Sequence, residues 1–173
     1  MSANGTMKRS TDTSAQLNFA AAAVALGGIL GFAGVYLNWF KYSYPVGGGS
    51  IVVYLTGNTD WTGQVAFIAG IAAFAFAVSY VLFEDPQIRK LTGILMGVAS
   101  VLLLGACIAG FFRVDSATAS PVLLGVEAGT TVQVATGVAG GLLVSSVGGI
   151  FAVVGAALSL RSPAPAPTAP AAA

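Results

Sequence analysis

Apolar residues in this chain are gathered into four long runs that contain no charge. The first run extends from Thr13 to Phe40, with its apolar part starting at Leu17. The second covers Trp61 to Phe83 and the third Leu91 to Phe112. The fourth covers Ala128 to Leu160, with its apolar part starting near Val132. A bilayer core of roughly 30 Å needs about 20 helical residues at about 1.5 Å each, and all four runs are that long. Inside hydrocarbon every backbone N–H and C=O must be satisfied within the segment, which a helix achieves. A transmembrane β-barrel would need strands of alternating polarity. Ile71–Ala77 and Val101–Leu104 are instead continuously apolar. The pattern therefore predicts an all-α membrane protein, a four-helix transmembrane bundle with helices at about 17–40, 63–83, 91–112 and 132–160.

The intervening segments complete the outline. Residues 1–16 are polar and predict a disordered N-terminus. Residues 161–173 form a tail that, beyond Arg161, holds only Pro, Ala, Ser and Thr, too little to build a core. The first run is longer than the roughly 7–15 residues of a signal-peptide core. It ends in the bulky Asn38-Trp39-Phe40-Lys41, so it reads as a retained helix. Helices two and three are joined by the short segment Glu84-Asp85-Pro86-Gln87-Ile88-Arg89-Lys90, in which Pro86 should end or interrupt a helix. A link this short makes these helices antiparallel neighbours. The other two loops are longer. Each holds a strand-like piece, Ile51-Val52-Val53-Tyr54-Leu55-Thr56 and Pro121-Val122-Leu123-Leu124-Gly125-Val126, followed by a turn signal. Two readings are open: a small outer β-layer, or segments dipping into the headgroup region.

Charge supplies an orientation. Four crossings put both ends on one side, together with Lys8, Arg9, Arg89, Lys90 and Arg161, whereas only Lys41 and Arg113 lie on the other. The positive-inside rule then makes both termini cytoplasmic and the protein a multi-pass plasma-membrane protein. Only 8% of residues are charged and 56% are hydrophobic, far from the composition of a soluble domain. The net charge of +1, with no basic cluster, offers nothing to nucleic acid. The chain has no histidine and a single cysteine, Cys107. An intramolecular disulfide and a Cys/His metal site are thereby excluded, and the commonest general base is absent. No acid or base falls at mid-membrane depth, where transporters and proton relays place theirs. Asp60, Asp115 and Glu127 are expected in the outer loops, near Lys41 and Arg113 in topology. Glu84 and Asp85 precede Arg89 and Lys90 in a turn. No catalytic residue, cofactor or metal ligand is expected.

Small residues at helical spacing carry the strongest positive signal. They occur as Gly27-x-x-x-Gly31 with Gly34, as Ala66-x-x-x-Gly70, as Gly93-x-x-x-Gly97 and Gly105-x-x-x-Ala109, and as Gly137-x-x-x-Gly141 with Gly148 and Gly149. Such faces let helix backbones approach closely in lipid. They could serve packing within this chain or contact with a partner, with helix four the best candidate for a spare face. Trp39, Tyr42, Tyr44 and Trp61 are expected in an aromatic belt at the outer interface. The two halves of the chain are also alike: Trp39-Phe40-Lys41 matches Phe111-Phe112-Arg113, and Gln64-Val65-Ala66 matches Gln133-Val134-Ala135. A parallel duplication and chance likeness between two apolar hairpins both account for this.

With cytoplasmic ends, a short cytoplasmic link and an aromatic first outer loop, the topology resembles that of claudin-like four-span proteins. The Gly-Leu-Trp motif and cysteine pair of the claudin loop are absent, so the likeness is topological only. The Ala/Gly/Val-rich helices and the tail Pro163-Ala-Pro-Ala-Pro-Thr-Ala-Pro170 resemble small four-span membrane proteins of high-GC actinobacteria. That resemblance implies an accessory role without transferring any functional residue. The expected function is a non-enzymatic membrane protein, an accessory or structural subunit of a larger transport or respiratory assembly. Its partners would be the bilayer and other integral membrane subunits or further copies of itself. The alternatives are a self-assembling pore or uncoupled small-solute carrier, and an outer-face adhesion or sensing protein.

Overall fold

The structure is a computed structural model that describes residues 3–46, 48–83, 85–114 and 135–161, with side chains from residue 18 onward except that of Val46. Among these residues the chain is mostly helical, with four long helices and a small three-stranded sheet. The helices are α1 (Ala3–Val35), α2 (Trp61–Leu82), α3 (Pro86–Arg113) and α4 (Gly140–Arg161). The strands are β1 (Asn38–Val46), β2 (Gly49–Thr56) and β3 (Ala135–Val138). Each helix contains a stretch long and apolar enough to cross a membrane: Asn18–Val35, Trp61–Leu82, Pro86–Arg113 and Gly140–Arg161.

The helices form a ring in which each packs against the next in sequence and α4 closes on α1. Neighbours are antiparallel. On α1 and α4, Gly34 meets Gly141, Gly27 meets Gly148, and Ala20 meets Gly155. These contacts recur every seven residues on both helices, the spacing at which one helical face returns to its partner. Alanines make up much of the core, with Ala66, Ala69, Ala73 and Ala77 on α2 and Ala99 and Ala106 on α3, beside the larger Met96, Leu103 and Leu142. Many other large apolar residues, among them Ile68, Val101, Leu102, Leu143, Ile150 and Val154, point outward.

Several expectations from the sequence need correcting. α1 begins at Ala3, where a disordered N-terminus was predicted, and ends at Val35, not at residue 40. Asn38-Trp39-Phe40-Lys41 belongs to β1, because its β-branched and aromatic continuation pairs with β2. Pro86 starts α3 at the first helical position, where its missing N–H costs nothing. Asp85 accepts hydrogen bonds from Gln87 and Ile88 N–H and so caps the helix. α4 begins at Gly140, not at 132, because Ala135–Val138 is captured by β1 as a third strand.

The sheet order is β2-β1-β3, with both pairings antiparallel. β2 contains the predicted strand Ile51–Thr56, hairpinned to β1 through a loop in which Gly48 adopts φ +89°. That left-handed conformation suits glycine. The second strand-like piece, Pro121–Val126, lies outside the described residues, as do residues 1–2, Glu84, Asp115, Glu127 and the tail 162–173.

The duplicated landmarks fall on unlike elements. Trp39-Phe40-Lys41 lies on a strand and Phe111-Phe112-Arg113 ends a helix. Ala66 is helical, whereas Ala135 starts β3. The two halves are thus not structurally equivalent at those described positions.

Candidate functional site

Two regions bring the singled-out residues together. The first is the set of seams around α1. The adjacent glycines of Gly27-Gly28 point about 100° apart around the helix, close to the angle between neighbours in a four-helix ring. A side chain built on Gly27 would meet the α4 backbone, with Gly148 O at 2.5 Å and Ala152 N at 2.6 Å. One built on Gly28 would meet the α2 backbone, with Gly70 O at 2.6 Å and Phe74 N at 2.9 Å. Gly31 faces Leu103 on the diagonally opposite α3, and Gly34 faces Gly141 and Ser145. The Ser145 hydroxyl donates to Gly31 C=O at 3.0 Å, a hydrogen bond between helices in a buried seam. α1 is therefore held by backbone contact on both sides.

Of the predicted small-residue positions, Gly27, Gly31, Gly34, Gly70, Gly141 and Gly148 lie in these seams, and Gly93 rests on the Tyr80 ring. Gly97 faces open space, and so does Gly105. Gly137 is not a helix-packing residue: it sits on β3 opposite Lys41, again with open space around it. α4 keeps no spare small face of the kind expected, since Gly141, Gly148 and Gly155 lie on α1 and Gly149 lies on Leu104 of α3. Gly28, Ser145 and Gly155 also lie in the seams, outside the small-residue patterns read from the sequence. The spacing Gly141, Gly148, Gly155 would have revealed the seam, because seven residues bring a helix face round again.

The second region is the sheet end of the bundle. Trp39 is completely buried there. Its indole N–H donates to Gly34 C=O at 3.0 Å and so satisfies a carbonyl in the last turn of α1. Its ring lies against Gly110 of α3 and Gly57, and its own carbonyl accepts from Ala139 N–H at 2.9 Å, just before α4. One residue thus ties α1 and α3, through its ring, to the entry to α4, through its carbonyl.

Beside Trp39, Phe40, Tyr42 and Tyr44 point to one face of β1 and are buried in the same core cluster as the bundle. The belt reading of Trp39, Tyr42 and Tyr44 is corrected accordingly: they face protein, because β1 turns them into the interior. Only Trp61 keeps an exposed ring, at 55%, with Arg113 over it at 5.8 Å.

Asp60 organises the charge at this end. It accepts from Thr62 N–H at 2.8 Å and from the Thr62 hydroxyl at 2.9 Å, capping α2. It also forms a salt bridge with Arg113 at 3.4 Å, joining α2 to α3. Burial raises the Tyr42 phenol above its ordinary value, and the nearby Tyr44 and Asp60 add to the rise while Arg113 opposes it. At the opposite end, Arg89 lies over the Tyr80 ring at 5.0 Å. An apolar groove of about 600 Å³ opens sideways between α1 and α2, lined by Ile29, Phe32, Tyr36, Phe67, Ile71 and Phe74. Phe67 makes edge-to-face contacts there with Phe32 and Tyr36.

Among the described residues no group of three acids or cysteines is placed to hold a metal ion. The described charges sit at helix ends and on the sheet, and the buried interior of the bundle holds hydroxyls, the Cys107 thiol and apolar side chains from alanine to Met96 and Leu103. The chain matches no protein family, none of the curated proteins and no solved structure.

Proposed function

We propose that the chain is a non-enzymatic integral protein of the plasma membrane that acts as an accessory or structural subunit of a larger transport or respiratory assembly. In this reading the four helices cross the bilayer, both termini are cytoplasmic, and the sheet lies on the outer side. The observation that carries it is the contrast between the two surfaces of the bundle. Inside, α1 touches the backbones of α2 and α4, and no described Asp, Glu, Lys or Arg intervenes. Outside, large apolar side chains cover every helix. An interior so closed weighs against a pore through a single copy. An exterior so apolar suits lipid and neighbouring helices, which contact one another by close van der Waals packing.

Extraction in a mild detergent, affinity capture of the tagged full chain and native mass measurement test the proposal. The expected result is co-purification of specific larger membrane proteins in fixed ratio. A chain that always emerges without other proteins overturns it. The outer-face adhesion or sensing reading draws support from the exposed apolar strand β2, and loss of a surface phenotype on deleting residues 49–56 would favour it.

A further inference from the structure

Strand β2 is the apolar surface that lipid cannot cover well. Helix faces can be left to lipid, because a helix satisfies its own backbone. An edge strand cannot, since one side of it presents free N–H and C=O groups. Among the described residues β2 is an edge of the sheet, and its residues from Gly49 to Leu55 are all exposed. Ile51 to Leu55 are each 38–51% exposed, so the strand is apolar on both faces. It carries no charge and no proline, the usual protections of an edge. The other edge, β3, is only four residues long.

The register fixes which groups are free. Val46 pairs with Gly49 across a two-residue loop, so that pair exchanges ladder hydrogen bonds. The alternation then directs Gly49, Ile51, Val53 and Leu55 toward β1, and Ser50, Val52 and Tyr54 away from it. Pro45, which has no N–H, lies opposite Ser50, at a pair that needs none on this side. Backbone groups aimed outward from Ser50, Val52 and Tyr54 call for another extended strand.

From this we infer that β2 is a self-association edge: two copies pair their β2 strands antiparallel about a two-fold axis at Val52, joining two three-stranded sheets into one of six. The contact is self-complementary, as an isologous interface must be. Val52 faces its own copy, and the small Ser50 falls beside the bulky Tyr54. No charge meets a like charge, because the nearest one, Lys41, is on β1, one strand back from the edge. Ile51, Val53 and Leu55 of the two copies extend the face begun by Phe40, Tyr42 and Tyr44. The inference is independent of the accessory-subunit reading, since it requires no other protein.

The test uses the full chain in lipid nanodiscs. Wild type is expected at the mass of two chains. Val52→Cys in a Cys107→Ser background is expected to form a disulfide-linked homodimer on mild oxidation, since paired residues at such an axis lie about 5.5 Å apart. Gln87→Cys, at the opposite end, should not. Val52→Pro removes only an outward N–H, and Val52→Lys sets two like charges face to face. Both should give single chains with unchanged helical circular dichroism. A wild-type monomer overturns the inference. So does a dimer that survives both substitutions, or a Val52→Cys chain that couples only to a different protein. A partner that still co-purifies with Val52→Lys would leave the accessory-subunit reading standing on its own.

Discussion

Gly27 and Gly148 stand in mutual backbone contact, so a branched side chain at either must push α1 and α4 apart. Gly148→Val is expected to lower stability by about 1–3 kcal/mol, the usual cost of overpacking. Gly105→Ala adds a methyl to open space and should gain up to about 1 kcal/mol from helix propensity. Thermal unfolding of the two variants in one detergent separates these outcomes, and equal shifts would refute the assignment of the α1–α4 seam. Spacing alone showed which glycines share a helix face, but not which face meets a neighbour. That is why Gly97 was grouped with Gly93 although only Gly93 touches a ring. Tyr42 supplies a second residue-scale test. Its phenol is raised above the ordinary 10.0 by burial first, then by Tyr44 and Asp60. The folded state therefore holds this proton more tightly than the unfolded state. The associated stability is present below about pH 10 and is lost as pH rises through the higher folded value. Tyr42→Phe should make unfolding less steep with pH above 10, and an ultraviolet titration should lose a phenol that ionises above the ordinary 10.0.

At the scale of elements, the starts of α2 and α3 share one device, a carboxylate that accepts the first N–H groups. Asp85 caps α3 immediately before Pro86, so Asp85→Ala should cost about 1 kcal/mol. Asp85→Asn should cost much less, because an amide oxygen still accepts. Denaturant unfolding of the pair checks this, and equal losses would point to charge in place of capping. The sequence reading saw Pro86 as an interruption, though the same residue is favourable at a first helical position. The positions of the four helices were legible because apolar runs are local signals. β3 was not, because Ala135–Val138 is as apolar as the helix that follows it, and its strand conformation depends on pairing with the distant β1. Likewise Trp39 looked like an interfacial residue beside a helix end. Only the turn into β1, which brings its indole back to Gly34, makes it a buried plug.

For the whole molecule, the antiparallel ring puts Asn58 at the sheet end and Gln87 at the other, both exposed. If four helices span the membrane, these residues lie on opposite sides of it. The basic residues Arg89, Lys90 and Arg161 cluster toward the Gln87 end, which the positive-inside rule assigns to the cytoplasm. Single cysteines at Asn58 and Gln87, in a Cys107→Ser background, turn that argument into a measurement. A membrane-impermeant maleimide applied to intact cells should label Asn58→Cys and leave Gln87→Cys unreacted until the membrane is permeabilised. Labelling of Gln87→Cys alone would invert the orientation and place the sheet inside. Labelling of both in intact cells would defeat the four-span reading, because that reading puts a single crossing, α2, between the two residues, whereas exposure on the same side requires an even number of crossings or none. The expected pattern also bears on the β2 edge, since a strand exposed on the outer side is open to a second copy diffusing in the same membrane.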